Sequence, residues 1–136
     1  MQYNELISEA IKAREKAYCP YSNFKVGAAI LAEDGKIYTG SNIENASFGA
    51  TNCAERTAIF KAVHEGNREI KAIAVIGDTN AYTYPCGICR QVMAEFIADS
   101  SIPVIIIKNE NDYLVKTFEE IMPGVFSKKD LQEIKG

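Results

Sequence analysis

The chain has 136 residues, of which 47% are hydrophobic and 24% are charged. These values are typical of a soluble globular domain, so we expect residues 1–136 to form a single catalytic domain and exclude an intrinsically disordered chain. The net charge of −3 argues against a nucleic-acid partner, because such domains usually carry a basic patch. The sequence has neither an apolar run that could span a bilayer nor a visible secretory signal. We therefore expect a cytoplasmic protein with no membrane partner.

Hydrophobic periodicity predicts alternating helices and strands along the chain. In order, these are a helix over 3–18, strands over 24–31 and 37–43, a helix over 53–65, a strand over 72–76, a helix starting near Cys86, strands over 104–107 and 113–117, and short helices opened by capping boxes at 117–120 and 127–130. The helix near Cys86 is expected to bury Ile88 and Met93.

This order of elements predicts an α/β fold. The Asp34-Gly35 turn indicates that the first two strands form an antiparallel hairpin. Strands that are joined through helices are expected to become parallel neighbours by right-handed crossovers. The predicted architecture is a three-layer α/β/α sandwich with a mixed five-stranded sheet and helices on both faces.

Three cysteines lie at the predicted starts of two helices. Cys53 opens the helix over 53–65, and Cys86 and Cys89 open the next one, where a spacing of three puts them on one helix face. The partial positive charge of a helix N-terminus favours the thiolate, which is the form that binds metal. Three protein ligands leave the fourth tetrahedral position open, which is the catalytic rather than the structural zinc pattern.

Glu55 lies two residues beyond the first of these cysteines, so it is close to the metal without having to bind it. Zinc lowers the pKa of bound water from 15.7 toward about 7. A neighbouring carboxylate can then take the proton of that water and pass it to a leaving group. The sequence therefore predicts that Glu55 is a general acid and base.

The pattern Cys53-Ala54-Glu55 followed by Pro85-Cys86-Gly87-Ile88-Cys89 resembles the zinc-dependent cytidine deaminases, specifically the short homotetrameric type. Further matching stretches are 24–29, 40–49, 53–58, 86–91 and 122–126. The resemblance implies a cytidine deaminase-like fold with one Zn²⁺ per subunit. It also implies hydrolytic deamination of cytidine and deoxycytidine to uridine and deoxyuridine plus ammonia, by a zinc-bound hydroxide with Glu55 as proton shuttle, in pyrimidine salvage. The expected partners are a small nucleoside substrate and further copies of the chain, as a homotetramer.

The resemblance also implies roles for residues outside the cysteine pattern. Asn42 and Glu44 are implied to bind the sugar. They lie two residues apart on an extended segment, so their side chains point to the same side. Phe24 packs on the pyrimidine ring. Further substrate-binding residues are Ile43 and Ala54. The residues that would complete the pocket of a neighbouring subunit are Ala46, Phe48, Gly49 and Phe126.

Arg56 is expected to moderate the charge of the metal centre. Three thiolates bring more negative charge than Zn²⁺ neutralises, which weakens the ion as a Lewis acid. A cation that donates hydrogen bonds to the sulfurs withdraws charge and restores that acidity. The resemblance supports Arg56 in this role, with Arg90 as a weaker candidate.

Some alternatives stay open. The chain could deaminate a modified cytosine nucleoside or a nucleoside antibiotic, or be a zinc-binding module without activity. Cys19 could close a structural site as a fourth ligand, although its surroundings favour a buried, inert thiol. Phe48 and Tyr84 differ from the tyrosine and serine that are common at these positions of the family.

Overall fold

A computed structural model describes the backbone of residues 3–135 and the side chains of residues 3–132. The helices and strands are α1 (Asn4–Arg14), β1 (Gly27–Ala32), β2 (Ile37–Ser41), a 3₁₀ turn (Phe48–Ala50), α2 (Ala54–His64), β3 (Ile70–Ile76), α3 (Gly87–Glu95), β4 (Pro103–Asn109), β5 (Asp112–Thr117), α4 (Phe118–Ile121) and α5 (Lys128–Lys135). Within the described residues, no helix combines the length and the apolar character needed to cross a bilayer.

The five strands form one mixed sheet in the order β2-β1-β3-β4-β5. The β1–β2 pair is the predicted antiparallel hairpin, and β3 and β4 are parallel neighbours as expected. The same rule was wrong for β2 and β3, which are also joined through a helix. Strand β1 lies between them and pairs antiparallel with β3, for example Ala29 with Ala74.

Helices cover both faces of this sheet. On one face α1 packs Leu6, Ile7 and Ala10 against inward side chains of β1, β3 and β4. On the other face α2, α3 and α4 pack over the alternate side chains of the same strands, and the Phe118 side chain of α4 is fully buried there. The three central strands β1, β3 and β4 bury both of their faces, which explains the near-continuous apolar sequence of β3 and β4. The predicted three-layer α/β/α sandwich is confirmed.

Two glycines let helices approach the sheet closely. A Cβ atom on Gly40 of β2 would lie 2.5 Å from the Ala54 carbonyl oxygen and 2.5 Å from the Ala58 nitrogen of α2. A Cβ atom on Gly27 of β1 would overlap the backbone of α1 on the opposite face. The close approach at Gly40 sets the position of the first turn of α2, which follows Cys53.

Three local predictions need correction or comment. Helix α1 ends at Arg14 rather than at residue 18, because the main chain of Tyr18 pairs with the extension of β2. Ile88 is 62% exposed, so its predicted burial was wrong, whereas Met93 is buried. The capping box of Thr117 and Glu120 is confirmed, with hydrogen bonds in both directions.

Candidate active site

The first turns of α2 and α3 lie side by side and bring three cysteine sulfurs together. Cys53 and Cys86 are the N-cap residues of the two helices, and Cys89 lies one turn into α3. The Cys53–Cys86 sulfur distance is 3.8 Å and the Cys86–Cys89 distance is 3.4 Å. All three sulfurs lie within 4.8 Å of one another. Within the described residues, Cys19 is not part of this cluster.

These distances fit a zinc centre. A Zn–S bond of about 2.3 Å and tetrahedral angles place sulfur ligands roughly 3.8 Å apart, whereas a disulfide would hold two sulfurs about 2.05 Å apart. The three thiols are free. The donor set therefore suits a tetrahedral thiophilic cation, and a ligand from outside the cluster can take the fourth position.

The surroundings of the cluster favour ionised sulfur. The Cys89 thiol and the Arg56 guanidinium lower the pKa of Cys53 to about 5. Arg56 donates a hydrogen bond from Nη2 to the Cys53 sulfur at 3.2 Å. The Arg56 Nε atom is buried and has no hydrogen-bond partner among the described residues. Arg90, the weaker candidate, instead donates to the carbonyl oxygens of Pro85 and Ile121.

Glu55 is a buried carboxyl group beside these sulfurs. It is 3% exposed, and burial raises the pKa of its side chain to about 7. The thiolate charge of Cys53 acts in the same direction. A buried carboxyl group that ionises near neutral pH can both accept and release a proton in this range.

Glu55 and two of the sulfur ligands line a cleft of about 250 Å³. The other lining residues come from the loops before β1 and α3, from the segment between β2 and α2 and from the first residue of α2. They are Ser22, Phe24, Val26, Asn42, Glu44, Thr51, Asn52, Ala54, Thr83 and Tyr84. A larger cavity of about 620 Å³ lies elsewhere, between Ile43 and the outer side of α2. The smaller cleft is the candidate active site because it contains the sulfur ligands and the buried carboxyl group.

The predicted substrate residues separate into two groups. Phe24, Asn42, Glu44 and Ala54 line the cleft with Glu55, whereas the side chain of Ile43 lines the larger cavity. This division follows from the extended backbone at 42–44, in which successive side chains point in opposite directions. The direct substrate contact of Ile43 stays a prediction.

The residues predicted for a neighbouring pocket lie outside the cleft. Phe48 is 75% exposed and lines an adjoining cavity with Tyr21, while Phe126 is 57% exposed near the start of α5. Ala46 and Gly49 are also exposed.

Asn42 and Glu44 hold the loop that carries Phe24. The Asn42 side chain accepts a hydrogen bond from the Val26 amide at 2.8 Å and donates one to the Phe24 carbonyl at 2.7 Å. The Glu44 carboxylate accepts hydrogen bonds from the backbone amides of Tyr21 and Ser22 and from the Ser22 hydroxyl. The Ser22 hydroxyl is the main reason that the pKa of Glu44 is lowered.

Sequence reasoning gave no role to six residues that line the cleft: Ser22, Val26, Thr51, Asn52, Thr83 and Tyr84. Ser22 carries no motif of its own, and only the three-dimensional contact with Glu44 reveals it. Thr83 and Tyr84 directly precede Pro85-Cys86, so their closeness in sequence to the metal ligand Cys86 was the available signal.

Comparison with protein families matches residues 1–106 to the zinc-binding region of cytidine and deoxycytidylate deaminases. The chain belongs to this family. The three-sulfur cluster together with the family match confirms the prediction of one zinc site per subunit. The cytidine deaminase-like fold is confirmed as well, because a crystal structure of cytidine deaminase from Burkholderia pseudomallei superposes with a TM-score of 0.85.

Relatives in this deaminase family are similar over nearly their whole length. The cytidine deaminase of Sporosarcina psychrophila is 55% identical over 131 residues, which is 96% of each chain. The cytidine deaminase of Halalkalibacterium halodurans is 51% identical over 98% of this chain and 100% of its own. The Burkholderia pseudomallei enzyme is 48% identical over 93% of this chain and 100% of its own.

Proposed function

We propose that the chain catalyses the hydrolytic deamination of cytidine and deoxycytidine to uridine and deoxyuridine, with release of ammonia. The observation that carries this proposal is the buried Glu55 carboxyl group in the same cleft as the Cys53 and Cys86 sulfurs. The similarity to cytidine deaminases over nearly the full chain supports the same reaction.

Cys53, Cys86 and Cys89 would hold a zinc ion, and the bound ion would activate a water for attack near neutral pH. Glu55 takes the proton that this water gives up as its oxygen bonds to C4 of the pyrimidine. Glu55 then delivers this proton to ring N3, takes up the proton of the new hydroxyl group on C4 and passes it to the amino group. The C4–N bond breaks and ammonia leaves. Burial keeps the Glu55 carboxyl group largely out of contact with bulk water.

The test of this mechanism is Glu55→Gln, which keeps the size of the side chain but removes the proton-carrying group. We expect kcat to fall by about 10²–10⁴, with zinc still bound at the wild-type ratio. Deamination is measured from the loss of cytidine absorbance and from released ammonia, with and without a chelator. The matched control is Glu65→Gln at the exposed end of the same helix, which should leave kcat unchanged. Wild-type turnover by Glu55→Gln would refute the shuttle.

Asn42 and Glu44 are proposed to bind the sugar hydroxyls while they hold the Phe24 loop. The amide nitrogen of Asn42 has two hydrogens, and the Phe24 carbonyl uses one of them. A carboxylate has about four acceptor positions, and the Tyr21 and Ser22 groups occupy three of those on Glu44. Each side chain thus keeps capacity for a ribose hydroxyl.

Phe24 and Ala54 are proposed to contact the base. The Phe24 ring is 41% exposed at the cleft, so it can pack against a pyrimidine. Ala54 is the first residue of α2. The N–H of this position has no intrahelical acceptor and is available to an acceptor on the base.

We further propose that the active form is a homotetramer in which Ala46, Phe48, Gly49 and Phe126 complete the pocket of a neighbouring subunit. Phe48 and Phe126 are both exposed, so their rings are accessible to a neighbouring subunit. Light scattering after size exclusion tests it, and a fully active monomer would refute it.

The proposed compartment is the cytoplasm, where thiols stay reduced and available to zinc. Microscopy of a tagged full chain tests this location, and an exported protein would contradict it.

A further inference from the structure

Two aromatic side chains are among the described residues that line the cleft, and the function proposed above uses only Phe24. The other is Tyr84, which is 42% exposed at the cleft. It lies on the loop between β3 and α3, two residues before the metal ligand Cys86. An aromatic ring in this position forms part of the wall next to the reacting end of the base.

Contacts on the α3 side hold the Tyr84 ring. The Arg90 guanidinium carbon lies 6.0 Å from the centre of the ring, within the range of a cation–π interaction. Arg90 is itself fixed, because it donates hydrogen bonds to the carbonyl oxygens of Pro85, at 2.8 Å, and Ile121. The guanidinium therefore links the Tyr84 ring to two points of the backbone.

The other end of the same loop is anchored to the sheet. Thr83 packs so closely on Gly77 that a Cβ atom there would lie 2.5 Å from the Thr83 hydroxyl. The hydroxyl of Tyr82 donates a hydrogen bond to Asp112, and the Lys108 ammonium group lies 5.8 Å from the Tyr82 ring. With both flanks fixed, Tyr84 is a preformed wall rather than a side chain that must be ordered by the substrate.

The direction in which the base binds follows from the proposed reaction. C4 of cytosine has two ring neighbours, N3 and C5. Glu55 of α2 serves N3, so C5 points away from Glu55. Two other walls of the cleft come neither from α2 nor from the loop of Phe24. One is the segment of Asn42 and Glu44, which is proposed to bind the sugar, and the other is the loop of Thr83 and Tyr84. C5 therefore faces this loop.

We propose that Tyr84 is a specificity-determining residue that limits the size of the substituent at C5 of the pyrimidine. The inference rests on the proposed function, which fixes N3 toward Glu55. The enzyme accordingly prefers cytidine to 5-methylcytidine. One methyl group in a fitted apolar pocket is worth about 10-fold to 200-fold in kcat/KM.

The experiment compares kcat/KM for cytidine and 5-methylcytidine in the wild-type holoenzyme and in two variants. In Tyr84→Ser, which removes the ring, the ratio of 5-methylcytidine to cytidine should rise about 10-fold or more. In the matched control Tyr84→Phe, which keeps the ring and removes the hydroxyl, the ratio should not change. The zinc-to-protein ratio of each variant is measured alongside.

Equilibrium binding of the products supplies a readout that does not depend on turnover. The Kd of 5-methyluridine relative to that of uridine should fall in Tyr84→Ser and stay unchanged in Tyr84→Phe. If Tyr84→Ser does not retain zinc, Tyr84→Trp takes its place, and its larger ring should lower the kcat/KM ratio instead.

The possible failures are distinguishable. Suppose that Tyr84→Ser or Tyr84→Trp deaminates cytidine normally and has the wild-type ratio of kcat/KM for 5-methylcytidine to that for cytidine. This result overturns the role of Tyr84 and leaves the proposed function intact. A ratio that rises equally in Tyr84→Phe also overturns this role, because the hydroxyl group rather than the ring would then exclude the C5 substituent. A zinc-loaded wild type that releases no ammonia from cytidine overturns both proposals.

Discussion

Gly40→Ala adds one carbon where β2 contacts α2, the helix that carries Glu55. The new Cβ would lie 2.5 Å from the Ala54 carbonyl oxygen, about 0.9 Å short of the 3.4 Å at which ordinary contact begins. It would also lie 2.5 Å from the Ala58 nitrogen and 2.9 Å from the Thr57 Cβ. Backbone atoms cannot rotate away, so α2 must shift by roughly 1 Å relative to the sheet.

This shift has two expected consequences. Overpacking of this kind destabilises a protein by about 1–3 kcal/mol, which for a domain of this size lowers Tm by roughly 4 °C per kcal/mol. Because Cys53 and Glu55 lie at the start of α2, the same shift displaces both from the Cys86 and Cys89 sulfurs on α3. A misplacement of about 1 Å can cost 10² in rate, so we expect kcat/KM to fall by about that factor.

Gly27→Ala is the matched control, because it adds the same carbon against the backbone of α1 on the opposite face of the sheet. It should lower Tm at least as much, but zinc affinity and kcat/KM per folded enzyme should change little. Differential scanning fluorimetry, zinc titration and steady-state kinetics on both variants separate the two effects. Equal losses of kcat/KM in both variants would refute the claim that Gly40 acts through the position of α2.

Three further predictions concern the residues around the cleft. Arg56→Gln should keep zinc but lower kcat, because the Cys53 sulfur loses a cationic hydrogen-bond donor. A wild-type kcat at the wild-type ratio of zinc to protein would contradict this. Asn42→Asp should lower stability by about 1–3 kcal/mol in chemical denaturation, since it cannot donate to the Phe24 carbonyl; unchanged stability would show that this hydrogen bond is dispensable. The Tm difference between wild type and Glu44→Gln should stay constant as the pH falls to about 4.5 and shrink below that pH. The reason is that folding lowers the pKa of Glu44, so its ionised carboxylate stabilises the fold at pH values above the pKa of the unfolded chain. A difference that already shrinks near pH 6 would contradict this.

Much of the site could be predicted because its signals are local. The spacing of Cys86 and Cys89 and the Cys53-Ala54-Glu55 sequence each depend on a single helix start, and both helices begin within a residue of the predicted position. The alternation of side chains along 42–44 is also local, and the cleft contains Asn42 and Glu44 as expected.

Long-range pairing explains what the sequence did not reveal. The apolar pattern of α1 continues to Tyr18, but the main chain there pairs with Asn42 and Glu44, which are more than twenty residues away. The insertion of β1 between β2 and β3 is likewise decided by strand pairing, which no local pattern encodes. Ile88 has the right helical phase for burial, yet no element within residues 3–132 covers that side of the first turn of α3, and its side chain is exposed.

The extended segment 42–44 has a consequence for how the chain can change during evolution. Its side chains alternate between the catalytic cleft and the larger cavity beside α2. Inserting or deleting a single residue there would exchange the two sets and turn the proposed sugar-binding side chains away from the cleft. Homologous sequences that keep this chemistry can therefore vary in length at this point only by an even number of residues.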